Sequence, residues 1–117
     1  MKPGIILFAH GSRDAEWARP FEKMASSLAR IDPGSEIRNA YLELMKPSLD
    51  EAIADLVASG VDAIRVVPVF LGYGGHIKQD LPDLIAAANP KVKVTIDPPV
   101  GEAPEVIEAI AALIAKR

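Results

Sequence analysis

The chain holds two histidines, His10 and His76, and each stands just beyond a short apolar run: "GIILFA" (4–9) leads to His10, and "VPVFLGYGG" (67–75) leads to His76. A carboxylate, Glu43, stands near the end of a third run, "EIRNAYLEL" (36–44). Two imidazoles and a carboxylate suit a borderline divalent ion such as Co²⁺, Fe²⁺, Ni²⁺ or Zn²⁺, with positions left open for water or a ligand. The chain has no cysteine, so thiolate sites and disulfides are excluded and any ion must sit on nitrogen and oxygen. Taken singly, each residue has a plainer explanation. A histidine after a strand can cap a helix or bond a carbonyl, and Glu43 can be a solvated loop carboxylate. What favours a site is that both histidines and an acid occupy strand ends together.

Those positions matter only if the strands run the same way. "GIILFA" reads as a strand buried on both faces. A helix follows over 14–30, with Trp17, Phe21, Met24, Leu28 and Ile31 at helical spacing and Pro20 tolerable only as a kink or in the first turn. The run 36–44 is strand-like, and 46–60 is a helix with Ser48 as N-cap, Glu51 three positions on, and Gly60 as its stop. A third strand over 62–70 precedes a helix from Asp80-Leu81-Pro82 to about Ala88. A fourth strand over 91–96 ends at Pro98-Pro99, and 103–117 is an amphipathic helix with Pro104 near its start. Strands alternating with helices predict an α/β fold: a doubly wound, parallel four-stranded sheet in three layers. In such sheets ligands bind outside the carboxyl ends of the strands, where His10, Glu43 and His76 all fall.

The turn after the third strand is rich in glycine. Gly72, Gly74 and Gly75 can take positive φ and carry no Cβ, so backbone there could lie flat against a bulky ligand. Tyr73 offers a ring for stacking. The spacing matches neither G-x-G-x-x-G nor the Walker pattern, so no nucleotide is expected. Arg13, Lys46 and Lys78 belong to the same edge and suit ligand carboxylates, though ordinary surface charge accounts for them equally well.

Bulk properties narrow the classes further. A length of 117 residues, half of them apolar and a quarter charged, predicts one soluble globular domain over 1–117. A net charge of −3 without clustered Lys and Arg argues against nucleic acid. No eighteen apolar residues run together and the N-terminal apolar stretch is short, which excludes a membrane span and points to the cytoplasm.

With "FAHGSRD" (8–14), "AYLELMKPSL" (40–49) and "VVPVFLGYGGHIKQDLP" (66–82) in order, the chain resembles the small CbiX-type sirohydrochlorin cobaltochelatases and their relatives, the SirB ferrochelatases. The resemblance implies a class II chelatase, a lyase of cobalamin or sirohaem biosynthesis that inserts Co²⁺, or Fe²⁺ or Ni²⁺, into a tetrapyrrole without ATP. It implies a chelatase-like half-domain acting as a homodimer, two copies supplying the two walls of a cleft. By the same resemblance His10 matches the metal-binding, proton-accepting histidine, Glu43 the acidic ligand and His76 the second histidine. Phe70, Leu71, Gly72, Tyr73, Gly74 and Gly75 match the substrate-lining loop, with Arg13 and Met45 also at the substrate. "GYGGH" and "EWARP" depart from the family's common pattern. Two other readings use the same residues: a carrier that binds metal or tetrapyrrole without turnover, and a His₂Glu zinc hydrolase, for which no H-E-x-x-H is present.

Overall fold

The computed structural model describes residues 2–74 and 77–117. Gly75 and His76 therefore lie outside the described residues. Four parallel strands form one sheet in the order β2-β1-β3-β4, with β1 Pro3–Ala9, β2 Glu36–Tyr41, β3 Ala63–Pro68 and β4 Lys93–Ile96. Helices cover both faces. The α/β, doubly wound, parallel four-stranded reading is thus what the chain adopts.

Period-two alternation along β1 divides the core. Ile6 and Phe8 point to one face, where they meet Ile64 and Val66 of β3 and the apolar sides of α2 (Leu49–Ala58) and α3 (Ile77–Ala87). Ile5 and Leu7 point to the other, where they meet Val67 and the Ala25 and Leu28 side of α1 (Arg19–Ile31). Being central, β1 is buried on both faces, which explains its unbroken apolar run.

Several local signals act as read. Pro20 sits in the first turn of α1, where its missing N–H is not needed, and residues 15–18 form a separate 3-10 turn. Ser48 and Glu51 close a reciprocal capping box on α2. At the other end, Gly60 has φ of +90° and Val61 N–H donates to Leu56 O while Gly60 N–H donates to Val57 O. That is a Schellman cap, with buried Leu56 and Val61 as its apolar contact. Replacing Ser48 with alanine removes the side-chain acceptor from Glu51 N–H, and we expect a loss of about 1 kcal/mol in urea unfolding with an unchanged m-value.

Two boundaries differ from expectation. The second strand stops at Tyr41 and residues 42–47 form a looped segment. The third helix begins at Ile77, so Pro82 lies inside it. Burial of Ile77, Leu81 and Ile85 at four-residue spacing outweighs the one backbone bond that Pro82 forgoes. Among the described residues no helix is long and apolar enough to cross a membrane.

Candidate active site

Because β1 lies between β2 and β3, the chain leaves β1 in one direction to make β2 and returns past it to make β3. The carboxyl end of β1 is therefore the switch point at which such sheets bind ligands. His10 is the first residue beyond it, and its side is open to solvent. Strand pairing continues past the strand ends. Leu42 N–H donates to Ala9 O at 2.9 Å and Glu43 N–H to His10 O at 3.1 Å. These two bonds bring Glu43, which is also exposed, beside His10 through the backbone.

Gly11 makes that approach possible. Its φ is +97°, and a Cβ built there would stand 1.9 Å from Glu43 O. Leu44, next after Glu43, also adopts a left-handed φ of +68°, uncommon for a branched side chain, and is left 57% exposed at the rim. The loop closes where Tyr41 N–H donates to Pro47 O, directly before the Ser48 cap of α2.

On the β3 side, Val69 N–H donates to Phe8 O at 2.8 Å, which carries buried Phe70 to the switch point. The Phe70 and His10 rings lie 4.7 Å apart between centroids with 34° between planes, and Tyr73 meets Phe70 edge-on at 6.3 Å. The imidazole thus rests on an apolar floor with its outer side free. Burial first, and then the Glu102 carboxylate, raise the Tyr73 phenol above its ordinary value, so it stays a neutral donor. Phe70 is itself clamped: Gly101, in the 3-10 turn Val100–Glu102 after β4, donates its N–H to Phe70 O at 2.9 Å, and a Cβ on Gly101 would stand 2.2 Å from Leu71. Leu71 projects outward, 75% exposed.

The remaining predicted residues divide. Arg13 is exposed, Lys46 pairs with Glu51 at 3.7 Å, and Lys78 is exposed in the first turn of α3. Met45 packs into a small apolar cluster with Trp17, Phe21 and Tyr41. Gly72 and Gly74 have open space where a Cβ would be and no positive φ. Beside His10, positive φ is required at Gly11, a glycine that stands alone in its segment. Among the described residues no three His, Asp or Glu side chains gather closely enough to share an ion, and the third predicted ligand, His76, lies outside them. A cavity of about 280 Å³ lined by Phe8, Leu42, Leu49 and Leu84 lies between α2 and α3 and includes neither His10 nor Glu43. The rim is therefore open: an imidazole and a carboxylate set among Leu44, Phe70, Leu71 and Tyr73, suited to a flat apolar ligand with a polar centre.

The CbiX family model matches residues 4–117. The chain belongs to the CbiX family. Among similar CbiX relatives, the sirohydrochlorin cobaltochelatase of Sulfolobus acidocaldarius is 36% identical over 98 residues, 84% of this chain and 78% of that one. The sirohydrochlorin cobaltochelatase of Saccharolobus solfataricus is 36% identical over 91 residues, covering 78% and 70%. Of solved structures, the CbiX protein of Marinobacter aquaeolei, assigned to cobalamin (vitamin B12) biosynthesis, superposes with a TM-score of 0.85 at 34% identity over 97% of this chain and 95% of that one. The sirohydrochlorin chelatase SirB of Bacillus subtilis subspecies spizizenii, in complex with cobalt, gives 0.79 at 27% identity, covering 99% of this chain but 51% of that one. The CbiX fold here thus spans about half the length of SirB.

Proposed function

We propose that this CbiX protein is a class II chelatase acting as one domain over 1–117, inserting a divalent metal, Co²⁺ in the first instance, into sirohydrochlorin or a related tetrapyrrole without ATP. The observation that carries the reading is the His10 imidazole laid on Phe70 at the switch point with Glu43 tied beside it by the His10–Glu43 backbone bond, in a chain 36% identical to sirohydrochlorin cobaltochelatases.

The reaction takes a metal dication and a macrocycle bearing two pyrrole N–H groups and returns the metal complex and two protons. The ion must shed water, and the protons need acceptors close to the ring centre. An imidazole does either task near neutral pH, as ligand or as base. His10 holds the incoming ion or accepts a pyrrole proton, Glu43 serves as oxygen ligand or second acceptor, and His76 is the second imidazole. Phe70, Leu71, Tyr73 and the small Gly72, Gly74 and Gly75 receive the macrocycle's face. Arg13 meets its peripheral carboxylates, and Met45 supports that wall from its cluster with Trp17 and Tyr41. An open rim supplies one wall, so a second copy of the chain supplies the other.

Mixing protein, excess Co²⁺ and excess sirohydrochlorin and following the absorbance of the product tests this. Many equivalents of metallated product per chain are expected, with Fe²⁺ and Ni²⁺ compared by initial rate. A plateau at one equivalent or less would mean a carrier, and no spectral change with any of the three ions would end the chelatase reading.

A further inference from the structure

Leu44 stands in a conformation that a leucine resists, at a place where its side chain packs little. Its φ is +68°, in the left-handed region that glycine and asparagine enter readily and a bulky residue enters only under constraint. Yet it is 57% exposed. Among the described residues the other non-glycine residue of positive φ is Asn89, at +48°, the type that tolerates it. An exposed apolar side chain by itself is ordinary on a protein surface. One held on strained backbone is not, because such strain persists only where surrounding contacts impose it, and it gathers at sites that bind or react.

The constraint comes from the two loops that meet beside His10. Glu43 N–H donates to His10 O at 3.1 Å, and Glu43 O faces Gly11 so closely that a Cβ there would stand 1.9 Å away. The peptide joining Glu43 to Leu44 is therefore pinned, and the chain must turn at Leu44 to reach Pro47, whose carbonyl accepts from Tyr41 N–H at 3.0 Å. Leu42 packs on the main core and Met45 on the cluster of Trp17, Phe21 and Tyr41. With those two anchored inward, Glu43 and Leu44 face out together, a carboxylate and an apolar side chain in succession. Glycine or asparagine would make the same turn without strain. The turn itself gives no reason for a leucine.

A counterpart stands on the far side of His10. Leu71 follows Phe70 beyond β3, is 75% exposed, and has its backbone held from behind by Gly101, where a Cβ would stand 2.2 Å from it. Strand order puts β1, and so His10, between the strands that lead to Leu44 and Leu71. Those two strands are two spacings apart, about 10 Å, a separation that one flat macrocycle can cover. We propose that Leu44 is a specificity-determining residue that meets the face of the bound tetrapyrrole on the Glu43 side of His10, as Leu71 does on the β3 side, and that the fold holds its strained backbone for that contact. Being apolar, the Leu44 side chain selects a ring face free of charge beside the carboxylate. This contact presupposes the tetrapyrrole reading of the site, and it gives the macrocycle a grip opposite the glycine-rich turn.

A leucine that serves the fold and one that serves the ligand predict opposite signs for stability. Leu44→Asn removes the strain and the apolar contact together, so its melting midpoint should rise by about 3–6 °C. The same variant should bind metal-free sirohydrochlorin roughly tenfold or more weakly in an absorbance titration. Leu44→Met keeps the apolar reach and should bind within about threefold of wild type. In turnover with Co²⁺ the asparagine variant should show a raised KM and a kcat within about threefold of wild type, since the contact is present in ground and transition states alike. The titration omits the metal, so it separates the two readings: a wild type that binds the macrocycle but inserts no metal ends the chelatase reading and leaves the grip standing. An asparagine variant that binds as tightly as wild type, or whose weaker binding comes with a lower melting midpoint, overturns the proposal. A methionine variant as weak as the asparagine one, or a wild type that takes up no sirohydrochlorin, does so too.

Discussion

Replacing His10 with alanine lowers the rate of cobalt insertion by roughly 10² to 10³-fold, within the range for loss of a positioned proton acceptor, and leaves the melting midpoint within about 2 °C of wild type. The separation of the two effects follows from where the residue stands. His10 is exposed and touches the core only through the outer side of Phe70, and its main-chain carbonyl still accepts from Glu43 N–H after substitution. What disappears is the imidazole that rests on Phe70 at the switch point. Initial rates from product absorbance, with thermal unfolding followed by circular dichroism, measure both quantities. Wild-type turnover in this variant would remove His10 from the chemistry.

Replacing Gly11 with alanine damages both properties at once. The new methyl group would fall 1.9 Å from Glu43 O, at a φ of +97° that alanine disfavours, and the contact is with backbone, which cannot rotate aside. Left-handed backbone alone costs an L residue about 1–2 kcal/mol, and relieving the clash requires breaking the Glu43–His10 bond. We expect a total loss of about 2–4 kcal/mol, a fall of roughly 10–15 °C in melting midpoint, and metal insertion reduced at least tenfold even at temperatures where the variant is folded. Gly72→Ala is the control: nothing lies within 4 Å of its Cβ, so stability should change by less than about 0.5 kcal/mol. If Gly11→Ala were as stable as Gly72→Ala and as active as wild type, the clamp between the first two loops would have no role in the site.

Most of the architecture was legible without coordinates because its signals are local. The unbroken apolar run 4–9 belongs to a central parallel strand, the Ser48–Glu51 pair caps α2, and Gly60 ends it. Once alternating strands and helices imply a parallel sheet, His10 and Glu43 must emerge on one edge, and they do. Less legible were features set by packing between distant segments. Pro82 argued for a later helix start, but the buried side formed by Ile77, Leu81 and Ile85 overrode it. The glycines of the 72–75 turn stand out by number, while Gly11 and Gly101, which the geometry around His10 and Phe70 requires, are isolated in the chain.

Local patterning, then, was enough to establish element types, their order and the edge that His10 and Glu43 share, since propensity, capping and periodicity act within a few neighbours. Assembly had to supply the rest: the stacking of His10 on Phe70, the backbone bond that seats Glu43, and the exposure of α4 (Pro104–Lys116) along its whole length. Each of these depends on contacts between segments tens of residues apart, and α4 looks in sequence like any core helix because periodicity reports which side is apolar, not which surface covers it.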